Sequence, residues 1–174
     1  MSRSTTALAA LAAASLITLA APAAAVAAPR AATNTMCLDV GGSRNNGDHV
    51  KIWQCQSPGF GNQDFVVDRG QIKVRDTIGT GREMCLDVGG SRNNGDHVKI
   101  WQCQSPGFGN QDFVVDRGQI KVRDTIGTGR EMCLDVGGSR NNGDRAKIWQ
   151  CQSPGFGNQD FVIDSGQIKV RDTI

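Results

Sequence analysis

The sequence predicts an all-β chain of three equal units closed into a ring, and three observations carry that prediction. A 48-residue unit recurs almost letter for letter, as residues 36–83, 84–131 and 132–174. No segment of ten or more residues shows helical periodicity, whereas short alternating apolar runs bounded by Gly, Pro and Asn recur throughout. The third unit ends with a Gln-Ile-Lys-Val-Arg segment, 167–171, that has no counterpart ahead of Met36. A ring would place that last segment in the slot missing at the start. Such closure removes exposed sheet edges.

Residues 1–27 are of different material. Arg3 precedes an apolar Ala/Leu/Ile run from Ala7 to Ala20, and small residues follow, the layout of a secretory signal peptide. Cleavage is expected after Ala27, which keeps Pro29 from directly following the cut. The run is shorter and more alanine-rich than a membrane span of about 20 strongly apolar residues. A secreted chain without membrane insertion is therefore expected, with 28–35 as a short linker before one domain at 36–174.

Within each unit four strands are expected, in the first over 36–40, 49–54, 64–67 and 71–75. The separators carry turn chemistry: Gly41 to Gly47, Ser57 to Gly61, Arg69-Gly70 and Gly79 to Gly81. Twelve strands in three sets are too few for a propeller, which has four or more blades. A solenoid would carry atypical terminal repeats. A β-trefoil satisfies the count.

Six cysteines fall in three identically spaced pairs, and in an exported chain they read as disulfides. Pairing within each repeat, Cys37 with Cys55, Cys85 with Cys103 and Cys133 with Cys151, alone gives every unit the same short loop. Each such loop adds roughly 3 kcal/mol by the chain-entropy argument.

Strand alternation puts Leu38 and Val40 on one face and Asp39 on the other; Val50 and Ile52 likewise oppose Lys51 and Trp53. A disulfide directly across the two strands would set Asp39 opposite Trp53, Asp87 opposite Trp101 and Asp135 opposite Trp149. An outward indole beside a carboxylate suits a sugar, since the ring packs on the apolar C–H face of a pyranose while the carboxylate accepts from its hydroxyls. Phe65 is expected in the core, Phe60 in a loop as lid or filler. Arg145, standing where the other units have histidine, is expected on the site face.

The ordered set Cys-Leu-Asp-Val, Asn-Gly, Val-Lys-Ile-Trp-Gln-Cys, Asn-Gln-Asp-Phe and Gly-Gln-Ile-Lys-Val resembles the repeat of ricin B-type β-trefoil lectins and family 13 carbohydrate-binding modules. The family's Gln-x-Trp signature appears as Gln63-Asp64-Phe65, Gln111-Asp112-Phe113 and Gln159-Asp160-Phe161. The resemblance implies three sugar sites: Asp39, Lys51, Trp53, Asn62 and Gln63; Asp87, Lys99, Trp101, Asn110 and Gln111; and Asp135, Lys147, Trp149, Asn158 and Gln159. Lysine stands where galactose-binding members often have glutamine. The ligand therefore stays open among galactose-, xylose/arabinose- and mannose-type glycans.

Other function classes find less support. Lys/Arg and Asp/Glu balance at six each in the first two repeats and five each in the third, so the net charge of +2 comes from Arg3 and Arg30. That leaves no footprint for a nucleic-acid partner. Histidine occurs only as His49 and His97, which argues against a metal site or a catalytic triad in every unit. No enzyme and no cofactor are expected. The alternative is a protein-binding trefoil, inhibitor-like or toxin-accessory, which would need a distinctive loop the chain lacks. A monomer is expected, with domain swapping the hazard of identical units.

Overall fold

The computed structural model describes residues 34–174. The leader and most of the linker lie outside the described residues. Twelve four-residue strands follow in chain order: β1 Met36–Asp39, β2 Lys51–Gln54, β3 Phe65–Asp68, β4 Gln71–Val74, β5 Met84–Asp87, β6 Lys99–Gln102, β7 Phe113–Asp116, β8 Gln119–Val122, β9 Met132–Asp135, β10 Lys147–Gln150, β11 Phe161–Asp164 and β12 Gln167–Val170. Each expected strand is present within one or two residues at either end. Short 3-10 turns that the periodicity did not reveal, such as Gly61–Gln63 and Arg75–Thr77, bridge the strands.

The strands form three antiparallel sheets ordered β11-β12-β1-β2, β3-β4-β5-β6 and β7-β8-β9-β10. Each sheet therefore joins the second half of one repeat to the first half of the next. In the first of them β12 pairs with β1 through Lys169 and Cys37, as β4 pairs with β5 through Lys73 and Cys85. The C-terminal strand does fill the N-terminal vacancy, and the fold is a threefold β-trefoil.

Apolar positions of all twelve strands meet in one core. Leu38, Ile52, Ile72 and their counterparts are essentially without solvent contact, and Phe65, Phe113 and Phe161 are buried as expected. Residues just before the second strand of each unit close the core around the threefold axis. Val50 N donates to Val98 O at 3.0 Å, Val98 N to Ala146 O at 3.0 Å and Ala146 N to Val50 O at 2.9 Å. The valine-to-alanine change at 146 thus falls in that ring. His49 and His97 meet edge to face with centroids 5.3 Å apart, and Arg145 is near enough to act on the His49 imidazole.

The hairpin turns Arg69-Gly70, Arg117-Gly118 and Ser165-Gly166 hold both residues at positive φ. Glycine does so freely, but a residue with a Cβ pays about 1–2 kcal/mol for the left-handed region.

Candidate functional site

The three disulfides form within repeats, each with Cα atoms 5.0 Å apart. They do not cross directly opposed positions, however. Cys37 lies opposite Trp53 and Asp39 opposite Lys51, two residues from the expected register. Cys55 sits just past the end of β2, so the bond runs diagonally across the pair. A shift of two preserves facing. Asp39, Lys51 and Trp53 accordingly still share the outer face, with Asp39 and Trp53 as diagonal rather than direct neighbours.

The outer face carries a groove in each repeat. Asp39, Gly41, Lys51, Trp53, Phe60 and Asn62 line the first, about 310 Å³ in volume. Its counterparts, around Trp101 and Trp149, are about 380 and 340 Å³. These are at the small end of ligand clefts. The indoles point outward as alternation required, with Trp53 37%, Trp101 43% and Trp149 38% exposed. Phe60, 46% exposed, forms the facing wall.

Asp39 is almost wholly buried and held from two sides. Gly41 N donates to its Oδ1 at 2.7 Å, and Gln63 Nε2 donates to its Oδ2 at 3.0 Å. An ionised carboxylate offers about four acceptor positions. Each oxygen therefore keeps capacity to accept from a ligand hydroxyl while its direction is set by the protein. In the first and third grooves the lysine ammonium lies over the indole, 4.9 Å from the Trp53 ring centroid for Lys51 and 5.1 Å from that of Trp149 for Lys147.

Gln63 does not line the groove. It is completely buried behind it, donating also to Gln54 O at 3.1 Å and accepting from Gln56 N at 2.8 Å. Its part is to position Asp39 and the chain after β2. Asn62 does reach the groove, where its Oδ1 accepts from Arg44 Nη2 at 3.3 Å. The same holds for Gln111 with Asp87 and Gln159 with Asp135, and for Asn110 with Arg92 and Asn158 with Arg140.

Two supports escaped the sequence reading. Arg44 clamps the loop over the site, donating to Gly41 O, Asn62 and Asp76, the last pairing at 2.7 Å. The second comes from another repeat: Gly143 faces the Trp53 ring, Gly47 that of Trp101 and Gly95 that of Trp149, each so placed that an added Cβ would touch the indole. In the same contact Asn142 Oδ1 accepts from Gln54 N at 2.6 Å. An Asn-Gly pair signals a turn in the sequence, but nothing there says which neighbour the turn meets.

Arg145 is not in the third groove, which Asp135, Gly137, Gly138, Lys147, Trp149, Gln152, Phe156 and Asn158 line. Its backbone bridges to Lys51 beside the ring of Val50, Val98 and Ala146, and its exposed side chain stands near the His49 imidazole instead. Burial, Arg145, His97 and Lys99 together hold the His49 imidazole below its ordinary pKa.

Threefold strand pairing, axial closure and one outward groove per lobe define a threefold-symmetric β-trefoil. The sequence profile of the ricin-type beta-trefoil lectin domain matches residues 27–125 and again 78–173. The chain belongs to that family. Among solved structures, it is similar to the β-trefoil lectin of the Vibrio vulnificus hemolysin/cytolysin, solved with N-acetyl-D-lactosamine bound, at 20% identity and a TM-score of 0.53 over 73% of this chain and 83% of that one. The C-half of an earthworm R-type lectin in complex with GalNAc is similar at 17% identity and a TM-score of 0.55, over 78% of this chain and 97% of that one. ThreeFoil, a designed threefold symmetric protein, matches at 20% identity and a TM-score of 0.52, over 80% and 91% of the two chains. At these identities the likeness concerns the fold. No curated protein sequence is significantly similar to the chain.

Proposed function

We propose that the protein is a secreted lectin with three sugar sites, able to cross-link glycans or bind polysaccharide. One observation carries the reading: each repeat sets an outward indole beside a buried, oriented carboxylate whose oxygens retain acceptor capacity. A pyranose laid on the Trp53 ring would direct hydroxyls to Asp39, and Lys51 and Asn62 would supply further polar contacts. Binding here needs no bond making, only adjacency. Membership of the ricin-type lectin family supports the reading, and the structurally similar proteins include lectins solved with N-acetyl-D-lactosamine and with GalNAc bound.

A single open groove of this size supports weak binding, on the order of 1 mM, equivalent to about 4 kcal/mol. Three grooves around an axis engage separate glycan arms, and avidity then adds about 10² or more. Intra-repeat disulfides and the signal-like leader favour an oxidising, extracellular setting. Among the described residues no helix is long and apolar enough to cross a membrane.

A glycan array tests the reading. The wild-type protein is expected to bind a defined set of glycans, and the Trp53→Ala, Trp101→Ala, Trp149→Ala triple variant to bind none. An array without hits, or hits retained by a folded triple variant, would defeat the reading.

A further inference from the structure

A second kind of hollow alternates with the tryptophan grooves on the outer surface. Between the first and second repeats a cleft of about 360 Å³ is lined by Arg69, Gln71, Lys73, Glu83, Gln102 and Gln104, among others. Its counterpart between the second and third repeats, about 340 Å³, has Arg117, Lys121 and Glu131 as charged lining. Each adjoins a groove: Gln104 lines the first cleft and the Trp101 groove, and Gln152 lines the second cleft and the Trp149 groove.

The rim of each cleft holds an arginine in an unfavourable backbone conformation. Arg69 and Arg117 occupy the first position of their two-residue turns at φ 48° and 47°, where asparagine or aspartate is the natural choice. Their side chains are 70% exposed, and each guanidinium reaches only the adjacent aspartate, at 3.3 and 3.2 Å. Ser165 shares that conformation at φ 52°, so what sets Arg69 and Arg117 apart is the exposed guanidinium each brings to its cleft rim. Gln71 spends its amide nitrogen on Gln104 O and keeps its amide oxygen as an acceptor.

The closing interface between the third and first repeats differs at the same places. Ser165 stands for the arginine, Thr35 for the glutamate, and Lys169 pairs with Asp164 at 2.7 Å.

We propose that the clefts beside Gln104 and Gln152 are subsites for the second sugar unit of a glycan chain whose first unit lies in the Trp101 or Trp149 groove, while the Trp53 groove reads a single terminal sugar. The inference rests on the sugar-binding reading above. The ligand class is a neutral oligosaccharide: Arg69 and Lys73 donate, Glu83 and Gln71 accept, and the two cations balance Asp68 and Glu83. Two chain-reading sites and one end-reading site would then share one scaffold.

Calorimetry with three sugar pairs tests this: galactose with N-acetyllactosamine, xylose with xylotriose, and mannose with mannotriose. The Trp53→Ala variant isolates the second and third sites, and the Trp101→Ala, Trp149→Ala double variant isolates the first. In whichever pair binds, the longer sugar is expected to be about tenfold tighter than its monosaccharide on Trp53→Ala and about equal to it on the double variant. Adding Arg69→Asn and Arg117→Asn to Trp53→Ala should abolish most of that gain while leaving the melting temperature the same or higher, since asparagine suits the turn. Monosaccharide binding with the same ratio in both variants would overturn the subsites and leave the lectin reading intact. Failure of all six sugars to bind would overturn both.

Discussion

The interface that closes the ring, between the third and first repeats, and the two interfaces inside the chain share a backbone but not a surface. Met36 N donates to Thr173 Oγ1 at 2.9 Å, as Met84 N does to Thr77 Oγ1. Phe65 N donates to Gly166 O at 2.7 Å, and Phe113 N to Gly70 O at 2.8 Å. Above this common frame the internal interfaces carry a lysine shared between two carboxylates, Lys73 with Asp68 and Glu83 at 3.3 and 3.2 Å, whereas among the described residues Lys169 pairs with Asp164 and Thr35 stands in place of the glutamate. Covalent continuity through the segment 78–83 is thus not what sets the register. Backbone pairing and core burial suffice, and the surface charges are free to serve other ends.

The severest way to break the comparison is to delete residues 167–174. That removes Ile168 and Val170, both fully buried, together with the Thr173 hydroxyl that meets Met36. A loss above about 5 kcal/mol is expected, since each large buried aliphatic contributes 2 kcal/mol or more. A cooperative melt at the wild-type temperature would show that the ring is not closed by β12.

Gly143→Ala probes the contact that crosses the same interface on the binding face. Gly143 has φ 95° and faces the Trp53 ring. About 1–2 kcal/mol of stability should be lost in chemical denaturation. The environment of Trp53 should change while Trp101 and Trp149, faced by Gly47 and Gly95, stay as they were. A uniform change in all three indoles would argue against lobe-by-lobe support.

Smaller effects separate the charge networks. Lys73→Met should cost up to about 1 kcal/mol and Lys169→Met less, because the carboxylate partners are solvent-accessible and such pairs are worth little. Hydrogen bonds from Arg69 and Lys73 hold the Asp68 carboxyl below its ordinary range, and Gly79 N and Lys73 do so for Glu83. A carboxylate with a depressed folded pKa stabilises above its unfolded value, near 4, and loses that contribution as pH falls from there through the lower folded value. The stability difference between wild type and Lys73→Met, followed by thermal melts, should therefore shrink below about pH 4. His49 acts in a separate window. Its folded pKa is lowered, so the unfolded chain takes up the proton first and stability falls as pH drops through about 6.5. That decline should be reduced in His49→Gln.

Much of this architecture was legible in the sequence because periodicity acts twice, along strands and between repeats. Val50 and Ile52 alternating with Lys51 and Trp53 sufficed to send the indole outward. The missing strand before Met36 sufficed to predict β12 against β1. What failed was detail that depends on distance. The disulfide was expected across opposed residues, but Cys55 lies beyond β2 and the bond is diagonal. Arg145 was expected at a sugar site, yet its exposed side chain stands near His49 and outside the third groove. Gln63 and Asn62 are adjacent and equally polar, and only the Gly61–Gln63 turn sends one inward behind Asp39 and leaves the other at the groove. Near-identity of the units also removes contrast, since Arg44 and Gly143 recur no more faithfully than residues with no part in the site.

The chain has three tryptophans and no tyrosine, and each tryptophan stands in one groove. Titrating the protein with the best ligand from the array while following the three indole ¹H–¹⁵N resonances therefore tests the central claim most directly. All three signals are expected to shift, each saturating with its own groove. Binding registered by calorimetry with the indole signals unmoved would contradict the account.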